Sequence, residues 1–312
     1  MDRSTDTKII LVTRKTRLDD LVVRHNTIGQ ARFYVEHLGA NFDDYLTEHT
    51  QYGKARTKAE SSLGRFGRVH VIDRAFLPNF IFGRDDVIVV LGQDGLVANT
   101  VKYSSERPII GVNPDPGRWD GKLLPFKVGD LKKVVPEVVR GRRPIKEVTM
   151  AKAELNTGQE LHAVNDLFIG VKSHVSARYA IDVGGKREQH SSSGIIVSTG
   201  LGSTGWFTSL LRGATAIAGA VTGSDLPPQG LGTFAWDADY LYFTVREPFP
   251  SRTSSTSLVF GKITREDPLI LISQTPENGV IFSDGIEKDF LEFNSGTRAL
   301  VAPAHRKGHL VV

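Results

Sequence analysis

Cysteine is absent from the 312 residues of this chain. Without a thiol, the chain forms no disulfide framework, no thiolate zinc or iron–sulfur site and no cysteine nucleophile. It also has no apolar run near the roughly 18 residues that a membrane helix needs, so we expect no membrane association. The polar residues from Met1 to Lys8 lack the pattern of a signal or transit peptide. These absences favour a reducing, cytoplasmic location.

An excess of charge of one sign is also missing. There are 39 Lys and Arg residues against 35 Asp and Glu, and the charged fraction of 24% is typical of globular domains. The densest basic stretch, from Arg140 to Lys146, contains no aromatic residue that could stack on a base. We therefore interpret it as a solvated linker between two domains and expect no nucleic-acid partner.

The first half of the chain alternates predicted strands and helices. Val87–Leu91 is an unbroken apolar run typical of a buried parallel strand. A predicted helix over 97–104 and a strand over 108–112 follow it, which together form a βαβ unit. The other elements predicted here are strands over 8–13 and 68–72 and helices over 26–38 and 43–63.

Beyond the linker, the pattern changes to short strands with frequent turns. The predicted strands cover 146–155, 162–171, 177–183, 194–198, 240–245, 257–260, 269–272 and 280–282. One helix is predicted over 206–220, and a Gly- and Pro-rich loop follows it from Thr222 to Thr233. The chain is therefore predicted to be an α/β domain followed by a mostly β domain.

The glycine-rich stretch Gly92-Gln93-Asp94-Gly95 follows the strongest predicted strand. Ligands of parallel sheets bind at the carboxyl ends of strands, where glycines let backbone N–H groups approach a phosphate. A carboxylate in such a loop is useful if it takes a proton from a hydroxyl that attacks the phosphate, or if it orients a magnesium ion. An ordinary Asp-Gly turn closing a strand is the alternative interpretation.

A second glycine-rich loop, Gly200–Gly205, matches the G-x-G-x-x-G pattern of dinucleotide-binding folds. Those folds need a following βαβ strand with an acidic residue, whereas here the predicted helix runs into the Gly- and Pro-rich loop. We interpret the segment instead as a Gly, Ser and Thr loop that holds a hydroxylated or phosphorylated ligand through N–H and hydroxyl groups.

Adjacent polar residues, Asn165 and Asp166, interrupt an otherwise apolar predicted strand. Neighbouring residues of a strand point to opposite faces, so one side chain is predicted to face a ligand while the other braces a turn. A bulge or turn without any ligand explains the pair equally well.

Together these three segments resemble the NAD kinase family, in which they occur in the same order. Gly92–Gly95 is similar to the family's G-G-D-G motif, Asn165-Asp166 to its N-E or N-D pair, and Ser198–Thr204 to S-T-P-T-G-S-T. Further stretches resemble the mitochondrial-type members. They are Ile110–Pro116, Ser192–Gly194, Gly205-Trp206 and Val245–Phe249.

The resemblance implies an N-terminal α/β nucleotide domain with a parallel sheet over residues 1–145. It implies a β-sandwich-like NAD-binding domain over 146–290 and a segment over 291–312 that returns to the first domain. The implied reaction transfers the γ-phosphoryl of ATP, with Mg²⁺, to the 2′-hydroxyl of the adenosine ribose of NAD. Asp94 is then the base, with Gly92, Gln93 and Gly95 around the phosphates. The residues implied to hold the dinucleotide are Asn165, Asp166, Thr199, Ser203, Thr204 and Trp206.

Alternatives of other classes stay open at this point. The family's second glycine is Gln93 here, and its usual following threonine is Leu96. The chain could therefore be a related kinase for a nucleoside, sugar or lipid, or a non-catalytic NAD-binding protein. The preference between NAD and NADH and the identity of the phosphoryl donor are not decided by the sequence. By analogy with the family we also expect a homo-oligomer.

Overall fold

A computed structural model describes residues 7–104, 106–223 and 232–312, with all side chains except that of Glu287. The described chain divides into two compact units. The first comprises the residues up to Lys146 together with His309–Val312, and the second comprises Glu147–Gly308. Most of the Gly- and Pro-rich loop predicted over Thr222 to Thr233 lies outside the described residues.

The first unit contains a parallel sheet with strand order β2-β1-β3-β4, to which the end of β17 adds beside β4. Every residue of β3 is buried, as expected for a strand of a parallel sheet covered on both faces. The strands are β1 (Lys8–Thr13), β2 (Arg68–Asp73), β3 (Val87–Leu91), β4 (Pro108–Asn113), the short β5 (Phe126–Lys127) and the end of the last strand of the chain, β17 (Arg298–Val311).

Five helices belong to this unit among the described residues. They are α1 (Arg17–His25), α2 (Ile28–His37), α3 (Asp43–Leu63), α4 (Asp94–Tyr103) and α5 (Leu131–Val139). The sequence analysis predicted α2, α3 and α4 but not α1 or α5. The start of α1 does carry a signal, because Thr16 and Asp19 form a capping box that satisfies backbone N–H groups at the helix start.

The second unit is built from antiparallel strands in two sheets. One contains β13-β12-β11-β8-β15-β16 in that order, and the other contains β10-β9-β14-β17 with β6 and β7. The strands are β6 (Ile145–Leu155), β7 (Glu160–Ala163), β8 (Asp166–Val171), β9 (Ala177–Val183), β10 (Lys186–Ser192), β11 (Ile195–Ser198), β12 (Leu241–Val245), β13 (Phe260–Ile263), β14 (Leu269–Ser273), β15 (Gly279–Ser283) and β16 (Ile286–Glu292). One helix, α6 (Trp206–Thr222), follows β11.

Alternate residues of both sheets fill one apolar core. From β8 these are Leu167, Ile169 and Val171, and from β9 they include Tyr179 and Ile181. This period of two is what a sheet with one buried face requires. The arrangement confirms the predicted fold class, an α/β unit with a parallel sheet followed by a β-sandwich-like unit.

Two predicted strands of the second unit need correction, and three of its strands, β10, β16 and β17, were not predicted. The apolar run over 162–171 is two strands, because the chain turns at Val164 and Asn165. The strand predicted over 257–260 begins only at Phe260. Strand β10 was missed because its sequence, KREQHSS, is polar and does not alternate.

Candidate functional site

The loop Gly92–Gly95 lies at the carboxyl end of β3 and opens helix α4, as the βαβ pattern predicted. Gln93 is the N-cap with φ −118°, an extended conformation open to any residue, so a glycine is not required there. The first N–H groups of α4 have no acceptor within the helix, and the helix dipole makes this end favourable for an anion. The loop therefore has the local geometry of a phosphate site.

Asp94 is the first residue of α4, and its carboxylate is fixed by the turn that follows β4. Oδ1 accepts the backbone N–H of Leu123 at 2.8 Å, and Oδ2 accepts that of Lys122 at 3.2 Å. Each oxygen therefore keeps a lone pair beyond the one used in the turn. Asp94 is an oriented, half-buried carboxylate rather than a simple turn residue.

Leu96, one of the departures from the family pattern, covers the loop. Its side chain is buried, and a Cβ added to Gly92 would lie 2.6 Å from Leu96 Cδ2. Glycine at position 92 and leucine at 96 thus fit together. A Cβ added to Gly95 would meet no atom within 4 Å, so the outer side of this glycine is open.

Tyr52 of α3 ties the loop after β1 to the end of β3. Its hydroxyl donates to the carbonyl oxygen of Leu91 at 2.9 Å and accepts the backbone N–H of Arg14 at 3.0 Å. Burial raises the pKa of Tyr52, so the hydroxyl keeps its proton for this bond. The residue directly before Gly92 is therefore held in place from a helix about forty residues away in sequence.

Three arginines cluster at the carboxyl ends of β1 and β4, and the sequence analysis did not single them out. Arg14 and Arg17 both bind the buried carboxylate of Glu48, Arg14 at 2.9 Å. Arg17 and Arg118 share Asp44, each at 2.6 Å. The only sequence signal for this cluster is the basic loop after β1.

The arginines hold both carboxylates ionised. Burial alone would raise the pKa of Glu48, but hydrogen bonds from Arg17 and Arg14 outweigh it and lower that pKa. Bonds from Arg118 and then Arg17 lower the pKa of Asp44 to about 2. The Nε of Arg14 is buried without a hydrogen-bond partner in the described part of the chain. This edge of the sheet is thus rich in guanidinium groups fixed by two anions.

In the second unit, Asp284 holds the turn that contains the Asn165-Asp166 pair. Its carboxylate accepts the backbone N–H groups of Val164 at 3.0 Å, Asn165 at 2.7 Å and Asp166 at 3.3 Å. Asp284 and Gly285 have φ values of +54° and +68°, which make the tight turn between β15 and β16. The Asp-Gly pair between apolar runs is a known hairpin signal that the sequence analysis did not use.

Asp166 is a carboxyl group with a strongly altered proton affinity. Burial, with the nearby charge of Asp284, raises its pKa to about 7. Asp166 begins β8 opposite Ser198, the last residue of β11. At neutral pH this side chain is therefore present in both protonation states and can donate or accept a hydrogen bond.

The glycines of the G-x-G segment serve close backbone packing. A Cβ on Gly200 would lie 1.8 Å from the carbonyl oxygen of Ala235, and one on Gly202 would lie 2.0 Å from that of Asn165. Strand β11 pairs antiparallel with both of its neighbours, so the segment is not part of a parallel dinucleotide-binding sheet. This agrees with the sequence-based rejection of the fingerprint.

The hydroxyls of this loop have different surroundings. Thr199 is buried and donates to Val164 O at 2.5 Å, while its Oγ1 accepts the N–H of Gly202. Ser203 is buried and donates to Gly200 O at 2.7 Å. Thr204 is exposed. Thr199 and Ser203 therefore build the loop, and Thr204 is the hydroxyl on its surface.

A cavity of about 270 Å³ lies beside this loop, and we name it the aromatic cavity. The side chains that define it are Asp166, Phe168, Lys172, Trp206, Arg246 and Phe282. The Phe168 ring is near-parallel to Trp206 at 6.0 Å and to Phe282 at 6.1 Å between centroids. The Arg246 guanidinium lies 5.5 Å from the Trp206 ring, and its Nε has no partner among the described residues.

Two of the predicted dinucleotide-binding residues, Asp166 and Trp206, thus meet in one cavity. Phe168, Lys172, Arg246 and Phe282 were not predicted. Alternation along β8 places Phe168 on the same face as Asp166, which is the signal that could have found it.

By sequence, part of the chain is similar to curated NAD kinases. No family model matches the chain. A stretch of 129 residues is 31% identical to an NAD kinase of Clostridium kluyveri, and it covers 39% of this chain and 44% of that protein. An NAD kinase from a second Clostridium kluyveri strain matches equally. The match therefore spans less than half the length of these curated relatives.

Solved structures match over nearly the whole chain. An NAD kinase from Archaeoglobus fulgidus in complex with ATP aligns with a TM-score of 0.56 at 15% identity, over 98% of this chain and 94% of that one. Yeast NADH kinase complexed with NADH aligns with a TM-score of 0.54 at 17% identity, over 99% and 84%. These comparisons confirm the predicted resemblance to the NAD kinase family and show that the chain has its fold, while the likeness to the mitochondrial-type members stays a prediction.

Proposed function

We propose that this chain is an ATP-dependent NAD kinase that phosphorylates the 2′-hydroxyl of the adenosine ribose of NAD to give NADP. The observation that carries the proposal is the placement of Asp94. In a chain with the NAD kinase fold, it lies as an oriented carboxylate at the start of a helix that can receive phosphates.

Asp94 acts as the general base in this proposal. It accepts the proton of the ribose 2′-hydroxyl as that oxygen attacks the γ-phosphorus, and the bond between the γ-phosphorus and the bridging oxygen of ADP breaks. The N–H groups at the start of α4 stabilise the charge on the transferred group. Because the turn after β4 fixes both carboxylate oxygens, the base needs little rearrangement before reaction.

The residues around Asp94 fit a Mg²⁺ ion that binds together with the nucleotide, rather than one that the protein holds by itself. No group of three or more His, Asp or Glu side chains in the described residues could hold a metal. Mg²⁺ in phosphoryl transfer is held by one or two carboxylates together with phosphate oxygens, and Asp94 offers such a carboxylate. When bound, the ion neutralises charge on the phosphates.

The aromatic cavity supplies the acceptor side of the proposal. The flat rings of Trp206 and Phe168 suit a base of the dinucleotide, and Asp166 and the exposed Thr204 suit its polar groups. Asn165 carries the backbone contacts that shape this region. Thr199 and Ser203 act through the loop that they hold, because both hydroxyls are engaged with backbone atoms.

The test is NADP formation by purified protein supplied with NAD, ATP and Mg²⁺, read by an NADP-specific enzymatic assay. A reaction without ATP is the control, and NADH in place of NAD measures the preference between the two. Absence of NADP above the control contradicts the proposal. If no NADP forms, calorimetry identifies a non-catalytic NAD-binding protein, which binds NAD without turnover. An ADP-production assay identifies a kinase for another acceptor, which releases ADP with a nucleoside, sugar or lipid. The comparisons do not favour the latter.

We also propose that the enzyme works in the cytoplasm as a homo-oligomer. No helix within the described ranges is long and apolar enough to cross a membrane. Light scattering at micromolar concentration tests the oligomer, and a monomer mass contradicts it.

A further inference from the structure

One phenylalanine of β8 lies outside the apolar core of the second unit. Phe168 is on the face of β8 opposite Leu167 and Ile169, which both belong to that core. Its side chain is half-buried and lines the aromatic cavity. Because the ring is not part of the core, it is available to a ligand that enters the cavity.

Two glycines make room for the Phe168 ring against the sheet. Gly170 is on the same face of β8, and a Cβ added there would lie 2.5 Å from Phe168 Cζ. Gly194, directly before β11, has a φ of +106°, and a Cβ added there would lie 2.8 Å from Phe168 Cε2. The ring therefore rests on bare backbone, and its outer side faces the cavity.

Two aromatic neighbours restrict the orientation of this ring. Phe282 is the partner of Phe168 in the β8–β15 pairing, and the angle between their ring planes is 19°. The angle between Phe168 and Trp206, the first residue of α6, is 16°. Near-parallel rings at such separations attract each other. The Phe168 ring is thus oriented before a ligand arrives, which lowers the entropy lost on binding.

The charges around the rings favour a ligand with negative charge. Lys172 continues the same face of β8 and forms no ion pair with a described residue. Arg246 approaches one carboxylate among these residues, that of Glu247 at 3.6 Å. Asp166 is the single carboxyl group among the cavity-lining residues. A planar base attached to phosphate groups matches both the rings and the cations.

We propose that Phe168 is the platform on which a base of the dinucleotide stacks, and that Gly170 and Gly194 set the affinity for NAD by letting this ring lie against the sheet. The inference rests on the proposed function in taking NAD as the ligand. Phe168 contacts the base, whereas the two glycines are positioning residues that act through the ring.

Calorimetry with NAD, without ATP, tests the platform on the full chain. Phe168→Leu keeps an apolar side chain but removes the ring on which the base stacks, so we expect roughly 5- to 150-fold weaker binding of NAD. The matched control is Phe260→Leu, the same change at an exposed ring of the same sheet outside the cavity. The NAD affinity of this control stays at the wild-type value.

Gly170→Ala tests the role of the glycines. The added methyl group pushes the Phe168 ring toward the cavity, so we expect a loss of NAD affinity of the same order as in Phe168→Leu. Leucine at position 168 has no ring to displace. The double variant Phe168→Leu/Gly170→Ala should therefore bind NAD about as well as Phe168→Leu alone, and additive losses overturn the positioning role.

Kinetics and binding together separate this inference from the proposed function. If NADP forms, Phe168→Leu raises the KM for NAD rather than lowering kcat, because stacking of the base is the same before and during the reaction. Equal NAD affinity in Phe168→Leu and the wild type overturns the inference even if NADP forms. Binding that depends on Phe168 without NADP formation supports it and contradicts only the kinase activity. Absence of saturable NAD binding by the wild type overturns both.

Discussion

Replacement of Asp94 by asparagine separates the proposed base from a structural carboxylate. Asparagine keeps one acceptor oxygen for the turn after β4 and places an NH₂ group where the second oxygen was. One of the backbone N–H groups of Lys122 and Leu123 therefore loses its acceptor. A hydrogen bond to a charged group is worth about 1.5–3 kcal/mol, so we expect the melting temperature to fall by roughly 3–12 °C.

The expected loss of activity is larger and of a different kind. Loss of a general base costs roughly 100- to 10,000-fold in turnover, which corresponds to about 3–5 kcal/mol of activation free energy. Domains are stable by about 5–15 kcal/mol, so Asp94→Asn stays folded at 20 °C and the turnover of folded enzyme can be measured. NAD affinity stays near that of the wild type, because we place the dinucleotide-binding residues in the second unit.

The matched control is Asp85→Asn, the same chemical change in the turn before β3. Asp85 is exposed, and its side chain forms no hydrogen bond with a described residue. Turnover and melting temperature of this variant stay at the wild-type values. Retention of turnover within about threefold in Asp94→Asn, with the expected fall in melting temperature, refutes the base assignment and leaves a purely structural carboxylate.

Three further predictions concern stability. The raised pKa of Asp166, about 7, means that the folded chain keeps a proton there which the unfolded chain releases near pH 4. The stability that this group contributes therefore falls as pH rises. In urea unfolding, we expect the free energy of unfolding of the wild type to fall by about 3 kcal/mol more than that of Asp166→Asn between pH 5 and 8. An equal pH dependence in the two proteins contradicts this. Glu48→Gln leaves Arg14 and Arg17 beside a buried neutral amide, so we expect it to lower the free energy of unfolding by about 3 kcal/mol. Asp44 is exposed, so Asp44→Asn should barely change the urea midpoint. Gly202→Ala forces a Cβ onto a backbone carbonyl and should cost about 1–3 kcal/mol, while Gly213→Ala, with nothing within 4 Å, should gain about 0.5–1 kcal/mol by thermal melting. Greater destabilisation by Asp44→Asn than by Glu48→Gln, or by Gly213→Ala than by Gly202→Ala, contradicts the corresponding prediction.

Several parts of the fold follow from local patterns. The unbroken apolar run Val87–Leu91 was enough to locate β3, because a strand buried on both faces contains no polar residue. The glycine loop after it had to lie at the carboxyl end of the sheet and at a helix start. Strand β1 and helix α3 were predicted with the bounds that the structure shows, Lys8–Thr13 and Asp43–Leu63.

Local patterns failed where an element is polar or contains a helix breaker and gains its stability from distant partners. Strand β10 has no apolar periodicity and is a strand because β9 pairs along its whole length. Helix α5 contains Pro136 and was missed, yet its apolar face packs into the core of the first unit.

The sequence by itself determined the two-unit architecture, the position of Asp94 at a helix start and the resemblance to NAD kinases. Only the tertiary structure decided what surrounds those residues. Asp284 reaches the turn at Asn165 across 119 positions, and Tyr52 reaches Leu91 across 39. The pKa of Asp166 depends on the burial and the neighbouring charge that such long-range contacts create. The spacing of residues along the chain does not predict these contacts, because they form only when the strands pair and the cores pack.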